Sequence, residues 1–555
     1  MSENLSYLSG RKGLEPNLFE NLTNAAEANG SVEDSVLKKA AEEFLMGDSV
    51  TLGASSFYDF MNKENRGKKA FVCSGSTCMV AGTQDGVKKH LLTEFKKEEI
   101  GHMCCLGRCH ENSAFNVGAK NYSGKSIDDL KGIVAKSSTY VEDAYCVSSN
   151  TDKPILTGKE LTIDECAEVV KKSLAMSKID LLNEIKTSGL RGRGGAGFPI
   201  GLKLESCFNV EGDQKYIVCN ADEGDPGAYS DRYLLEKQPM LVLLGMMAAA
   251  YVVGADTGIL YIRAEYPESI DVINQKIDAL LKTQITGKNI FSSDFNFKFK
   301  VIKGAGAYIC GEETALLSSI EGQRPEVRIR PPYPTVEGLF NKPTVVNNVE
   351  TFASLPWIIK NSGEAFSKIG TQKSTGTKLV SLDSFFNKPG IVEVTMGTPL
   401  VDLFERMGEG FKEKIKAFHI GGPLGGLVPM QKISELSIDY ESFSEQGFLL
   451  GHASVLSIPE TYSIIEYLRH LFAFTAAESC GKCFPCRLGS TRGEELLDGA
   501  INKGEKINRE LMDDLLETLE VGSLCALGGG LPLAINNALE YFQDELSPYF
   551  SQAEV

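Results

Sequence analysis

Cys480, Cys483 and Cys486 stand at three-residue intervals in ESCGKCFPCR (478–487), and Cys525 follows in SLCALGG. Three thiolates on one tight loop reach three corners of a cubane and a remote fourth closes it, which points to a [4Fe–4S] cluster. Gly481 and Pro485 suit the sharp turns of such a loop. Four thiolates also satisfy tetrahedral zinc, although zinc ribbons present two separate C-x-x-C knuckles rather than a triple run plus one. A second set pairs Cys73 with Cys78 and Cys105 with Cys109, two thiols on each of two loops. A rhombic [2Fe–2S] cluster takes two ligands per iron and fits this arrangement, with zinc again the alternative. Cys104 adjoins Cys105, and the compact CLGRC spacing favours Cys105 as the ligand. Cys104, Cys146, Cys166, Cys207, Cys219 and Cys310 show no ligand spacing and read mostly as small buried apolar residues.

LRGRGGAGFP (190–199) contains Gly192-x-Gly194-x-x-Gly197, a formal match to a dinucleotide fingerprint. The segment before it, DLLNEIKTSGL, reads as a helix rather than a buried strand, and Pro199 interrupts the segment after it, so an ordinary Rossmann assignment is rejected. Its glycines still expose backbone N–H groups, and Arg191, Arg193 and Lys203 add positive charge, a combination suited to a phosphate or to the close approach of a flat ring. Acidic clusters come next in NADEGDPG (220–227) and GAGAYICGEETAL (304–316); they suit either ribose and ring N–H groups or solvated loops. RPEVRIRPPYP (324–334) sets Arg324, Arg328 and Arg330 beside Tyr333, and NNVET (347–351) adds a further polar cluster.

These loops need elements to hold them. Residues 1–65 read as a helical region, with helical spacing in VEDSVLKKAAEEFL (32–45). A small α/β unit over 66–135 carries one cysteine pair on each of two loops, and a polar stretch at 136–160 reads as linker. Strand and helix signals alternate through 161–365, a short β-rich piece spans 366–445, and helical periodicity dominates 446–555.

The bulk composition narrows the class. With 555 residues the chain needs roughly three to five domains. Its formal charge of −17 argues against nucleic acid or an anionic membrane surface as the main partner. The apolar run Met240–Ala255 falls short of the roughly 20 residues of a membrane span and reads as a buried helix. The N-terminus shows no secretion pattern, so the 14 cysteines are expected as reduced thiols in a cytoplasmic protein.

Taken in order, LRGRGGAGFP, CNADEGDPGAYSDR, YIRAEYP, GAGAYICGEETAL, PPYP, KPTVVNNVET and ESCGKCFPCR resemble the flavin-bearing NADH-binding subunit of respiratory complex I and its relatives in NAD(P)-linked hydrogenases and formate dehydrogenases. The first 135 residues, including SSFYDF (55–60), resemble the thioredoxin-like [2Fe–2S] subunit of the same complexes. The resemblance implies a multidomain α/β fold. Its parts are a helical segment with a thioredoxin-like ferredoxin domain, a non-standard Rossmann-like FMN/NADH domain, a ubiquitin-like β-grasp domain and a helical [4Fe–4S] bundle. It places Gly192, Arg193, Gly194, Lys203, Asn220, Asp222, Glu223, Gly311, Glu312, Asn347 and Asn348 at FMN. Phe198, Asp225, Tyr308, Glu313, Arg330 and Tyr333 fall where the family holds NAD(H) or NADP(H). The sequence departs from the family pattern at Ile200, Leu204 and Ser206, and Asp225 stands where complex I subunits often carry Glu.

The implied chemistry is hydride transfer between nicotinamide and flavin, followed by single-electron exchange with the clusters. No side chain need act as acid or base beyond positioning FMN, for which Glu312 and Glu313 are the candidates. The partners implied are other iron–sulfur or catalytic subunits of a hydrogenase, formate dehydrogenase or related oxidoreductase, without nucleic acid or membrane insertion. Two alternatives accompany this reading: an electron-bifurcating complex with ferredoxin as a further carrier, and a non-catalytic iron–sulfur relay.

Overall fold

A computed structural model describes residues 13–14, 18–29, 31–118, 120–138 and 145–551. The expected helical region and linker therefore lie partly outside the described residues. Helices Leu18–Asn29, Asp34–Glu43 and Asp48–Ser56 do not form a unit of their own. Their apolar side chains, among them Phe19, Leu22, Leu37 and Phe44, pack with Val218, Ile259, Tyr261, Ile302 and Leu317 of the central domain. Tyr58 anchors the end of this layer by donating to Ser319 Oγ at 2.8 Å.

Next comes a four-stranded sheet built from β1 (Ala70–Cys73), β2 (Ile100–Met103), β3 (Phe115–Val117) and β4 (Lys120–Tyr122). Its order is β2-β1-β3-β4, with β1 and β2 parallel and the other pairs antiparallel. Cys73 ends β1 and Cys78 lies in the helical turn Ser76–Val80 just beyond it, while Cys105 and Cys109 sit on the loop after β2. The two parallel strands thus deliver both cysteine loops to the same end of the sheet. Strand β5 (Cys146–Ser149) comes from the stretch expected as linker.

β6 (Tyr216–Ala221), β7 (Thr257–Ile262), β8 (Lys298–Lys303) and β9 (Thr344–Asn348) form a wholly parallel sheet in the order β8-β7-β6-β9. The chain steps outward from β6 to β8 and then returns to the far side of β6. The strand order therefore reverses between β6 and β9, which opens a crevice at their carboxyl ends. Helix Pro239–Val253 is buried on nearly every side and packs on helix Val349–Asn361, as its uniformly apolar sequence requires. The membrane-span length is not reached here, and among the described residues no helix is long and apolar enough to cross a bilayer.

The third sheet contains β10 (Thr377–Leu382), β11 (Gly390–Thr395), β12 (Ile415–Ile420), β13 (Gly426–Pro429) and β14 (Ser454–Pro459). Its order β13-β12-β14-β10-β11 sets the first and last of these strands parallel at the centre, which is β-grasp topology, and β5 adds to the edge beside β11. The sheet thus recruits strands from segments that the sequence assigns to the linker and to the C-terminal helical region. Glu393 explains the first recruitment. Its buried carboxylate accepts the N–H groups of Ile155, Leu156 and Thr157 and the hydroxyls of Thr157 and Thr377, which fixes the chain after β5. The second reflects the burial of β14 along its whole length, the pattern of a central strand. Helices Ile464–Glu478, Ser490–Lys503, Arg509–Gly522 and Leu531–Tyr541 form the terminal bundle.

Gly245 is where the two central helices touch: a Cβ there would lie 1.9 Å from the Phe352 carbonyl oxygen. Gly245→Ala is expected to force the helices apart and to destabilise the protein by about 1–3 kcal/mol, the usual range for overpacking. A lowered midpoint in denaturant with an unchanged slope is the expected result, and a wild-type midpoint would show that the contact is soft.

Candidate functional site

The four N-terminal thiols converge. Cys73, Cys78, Cys105 and Cys109 are all buried, and Cys105 Sγ lies 3.6 Å from Cys109 Sγ. The hydrogen bond from Cys78, helped by the Gly75 and Leu106 N–H groups, pulls the Cys73 thiol down to about 7 against its burial. Cys104 is only partly buried and packs both against the apolar cluster that contains Cys480 and against the one that contains Cys105 and Cys109. Cys105 takes a positive φ of 45°, a conformation uncommon outside glycine.

The C-terminal thiols also share one site. Cys480 and Cys486 are buried, and partly buried Cys483 and Cys525 pack against the same cluster, which includes Ile309, Phe474 and Leu527. Gly481 takes a positive φ of 80° in the loop between Cys480 and Cys483. A side chain at Gly528 would strike Cys486 Cβ at 2.7 Å, so the turn after Cys525 must be bare for the thiols to approach.

Between these sites, at the strand-order reversal, lies a cavity of about 520 Å³. It is lined by the glycine-rich loop at Gly194–Ala196, by Asn220 near the end of β6 and Asp222–Asp225 after it, by Tyr308, Ile309, Gly311 and Glu312 after β8, and by Asn348 at the end of β9. Leu424, Leu449, His452 and Leu527 close it from the grasp domain and the bundle. The glycine-rich loop enters not from a strand but from helix Lys178–Ser188, through a left-handed Gly189. It folds back on itself where Gly192 N–H meets the Phe198 carbonyl at 2.8 Å. A larger and more open cavity of about 940 Å³ lies between the [2Fe–2S] domain and the bundle, bounded by Asp59, Ser74, Cys104, His470 and Glu478. None of its lining side chains holds a buried polar atom without a partner, whereas the 520 Å³ cavity has three: Asp222 Oδ2, Asp231 Oδ1 and His452 Nδ1. The smaller cavity is the one built for a polar ligand.

Several cavity residues shape the walls as well as facing the space. Glu223 accepts the Asp231 and Arg232 N–H groups at 2.9 and 3.0 Å, and Glu312 accepts those of Thr314 and Ala315 at 2.8 and 2.9 Å, so each carboxylate caps a helix. Asn348 caps helix Val349–Asn361 through Glu350 N–H at 2.8 Å and donates to Asp231 Oδ2 at 2.6 Å. Asn220 donates to the Gly311 carbonyl at 2.7 Å. Burial pushes the Asp222 carboxyl well above its ordinary range and raises Glu223 to about 7.

The remaining expected FMN residues lie around rather than on this surface. Arg193 is buried but reaches the Thr375 carbonyl at 2.6 Å, with Nε and Nη1 unpartnered. Lys203 donates to Val346 O at 3.0 Å and pairs with Glu313 at 3.1 Å. Gly192 and Asn347 adjoin the wall, and Asn347 Nδ2 has no partner. Of the residues expected at the nicotinamide nucleotide, Asp225 and Tyr308 line the cavity and share a 2.6 Å hydrogen bond. Arg330 pairs with Glu313 at 3.1 Å, while Phe198 and Tyr333 are exposed. The sequence motifs assign no role to Asp231 or His452. Asp231 lies inside the CNADEGDPGAYSDR string, but nothing local marks His452.

A parallel sheet with a polar cavity at its reversal point, flanked by two four-thiol sites, defines an iron–sulfur flavoprotein. Family models match residues 185–357 as the Nuo51 FMN-binding domain, 466–549 as the NADH-ubiquinone oxidoreductase-F iron–sulfur binding region, and 7–138 as a thioredoxin-like [2Fe–2S] ferredoxin. The chain is 41% identical over 381 residues to the NADP-reducing hydrogenase subunit HndC of Solidesulfovibrio fructosivorans, covering 68% of this chain and 77% of that one. It is 30% identical to the NAD-reducing hydrogenase HoxS subunit alpha of Cupriavidus necator across 95% of this chain and 91% of the relative. Its fold matches a chain in the crystal structure of an air-oxidised NAD+-reducing [NiFe]-hydrogenase with a TM-score of 0.84 and 26% identity, covering 97% of this chain and 94% of that one. The chain belongs to the family of FMN- and iron–sulfur-binding NADH dehydrogenase subunits found in complex I and in NAD(P)-reducing hydrogenases.

A ligand set that takes the buried Cys105 rather than the partly buried Cys104 has a direct check. Cys105→Ala is expected to abolish the rhombic cluster's absorbance and lower bound iron, whereas Cys104→Ala retains both. Equal iron loss in the two variants would contradict the ligand set.

Proposed function

We propose that this chain is the diaphorase subunit of a soluble, cytoplasmic multi-subunit oxidoreductase, exchanging electrons between NAD(P)H and iron–sulfur clusters through FMN. The observation that carries the reading is the 520 Å³ cavity at the sheet's reversal point, walled on one side by residues touching the [2Fe–2S] thiols and on the other by residues packed on the [4Fe–4S] thiols. Its volume suits a cofactor, within the range of about 300–1,000 Å³ for small-molecule sites. Its walls combine amide groups, bare glycine backbone and unpartnered buried polar atoms with apolar Ile309, Leu424 and Leu527, a donor and acceptor set that fits a flat heterocycle bearing a phosphate tail.

In this reading Gly194, Asn220, Asp222, Gly311, Glu312 and Asn348 hold FMN, with Glu223 shaping the loop. Gly192, Arg193, Lys203 and Asn347 support the phosphate side. When bound, FMN supplies the conversion between two-electron hydride chemistry and the one-electron chemistry of the clusters. Asp225 and Tyr308 present a hydrogen-bonded pair to the nicotinamide side, and Phe198, Glu313, Arg330 and Tyr333 form the outer rim that receives the nucleotide. Cys480, Cys483, Cys486 and Cys525 hold the cubane, and Cys73, Cys78, Cys105 and Cys109 hold the rhombic cluster. Near the cubane the surface leaves Phe484, Leu488 and Val521 exposed, which suits the docking of a partner subunit of a hydrogenase, formate dehydrogenase or related complex.

A Cβ at Gly194 would meet Asn348 Cβ at 2.8 Å. Gly194→Ala is therefore expected to displace Asn348 and lower flavin content and NAD(P)H–dye reduction at least tenfold, with the iron of both clusters unchanged. Full flavin occupancy with normal turnover would count against the cavity assignment.

A further inference from the structure

Asp222, Glu223, Asp225, Asp231 and Glu312 all line the 520 Å³ cavity, and among the described residues the one lining side chain able to carry positive charge is His452. Its ring is only 6% exposed. Nε2 lies 3.4 Å from Asp231 Oδ2 and 3.7 Å from Glu223 Oε1, while Nδ1 has no hydrogen-bond partner. Asp231 Oδ2 is the same oxygen that accepts the Asn348 amide, and Asn348 in turn packs where a Gly194 side chain would stand. A proton on His452 is thus linked through one carboxylate to the orientation of an amide on the cavity wall.

Glu223, Asp231 and His452 also offer three ligand atoms within 4.8 Å of one another. Both Glu223 oxygens are already engaged by backbone N–H groups, so the cluster serves as a charge network rather than a metal site. The charged groups that act on the imidazole are Asp231 and Glu223, which favour its proton, and Lys378, which opposes it. Asp225 also feels the His452 charge, which lowers its carboxyl against the rise caused by burial. Burial alone would strip the proton from His452, but Asp231 and Glu223 outweigh it and hold the imidazolium to about pH 9.

We propose that His452 is the resident cation of the cofactor cavity, a positioning residue whose buried positive charge, held by Asp231 and Glu223, favours the reduced over the oxidised cofactor. This rests on the assignment of the cavity to FMN. Reduction adds negative charge to the bound group, and a fixed positive charge in a water-poor site favours that form. The pH dependence has a definite sign: the folded-state pKa is raised, so the favourable charge is present below about pH 9 and lost above it.

The test is spectroelectrochemical titration of the FMN-loaded full chain between pH 7 and 10. The wild-type potential is expected to show an inflection near pH 9 that His452→Asn abolishes. At pH 7 that variant is expected to favour the oxidised cofactor at least tenfold more than wild type, about 30 mV for a two-electron couple. Asp231→Asn removes the nearest carboxylate and is expected to move the inflection to lower pH, a change that loss of packing alone does not produce. A wild-type protein that binds FMN yet shows no such inflection, or a His452→Asn variant with the wild-type potential, overturns the role of His452 alone. A wild-type chain that takes up iron but no FMN overturns the cavity assignment beneath it.

Discussion

Arg263 is buried, and a guanidinium taken out of water must find acceptors or unfold the structure around it. It donates to the Glu223 carbonyl, to the Cys104 carbonyl at 2.9 Å and to the Glu265 carboxylate at 2.8 Å. Arg232, also buried, donates to the Gly107 carbonyl at 2.7 Å. The cysteine loop of the N-terminal domain thereby supplies the acceptors that make two buried cations of the central domain tolerable. Neither domain satisfies these groups alone, so their charge fixes the two against each other. Gly107 completes the fit, because a side chain there would collide with Tyr266.

The site depends on that docking. Once the 104–109 loop is held against Glu223 and Arg263, the Asp225 carbonyl stands 4.0 Å from Cys105 Sγ and Gly227 N–H donates to Cys109 Sγ at 3.3 Å. The loop after β6 therefore has one face on the Cys105 and Cys109 thiols and the other on the cavity. On the opposite wall, Ile309 and Leu527 belong both to the cavity and to the apolar cluster around the C-terminal thiols. Electron transfer needs short separations, and here a single layer of protein stands between the cavity and each set of thiols.

The grasp domain is coupled to the same region by another buried pair. Lys378 of β10 contacts Glu350, both fully buried, and Glu350 also accepts the Leu379 N–H at 3.0 Å. Glu350 is the second residue of the helix capped by Asn348, so the insert braces the helix start that forms part of the cavity wall. Such a pair, with its partners removed from water, contributes more to a defined arrangement than to net stability. The β5 edge strand and the Glu393 carboxylate tie the preceding chain into the same sheet.

The sequence by itself determined the chemistry. Two thiol quartets pointed to iron–sulfur clusters because cluster ligation demands cysteines at short spacings, while FMN and the fold class followed from the resemblance carried by the glycine-rich and acidic motifs in family order. Only the tertiary structure decided what depends on distant segments meeting. It gave Glu223 and Glu312 to helix caps and set Arg193 and Lys203 behind the wall. It also laid the N-terminal helices on the central sheet and brought β5 and β14 into the grasp domain. His452 shows the reason most plainly. A histidine between a glycine and a small residue carries no local signal, and its charge arises only when folding buries it against Asp231 and Glu223, each more than two hundred positions away in the chain.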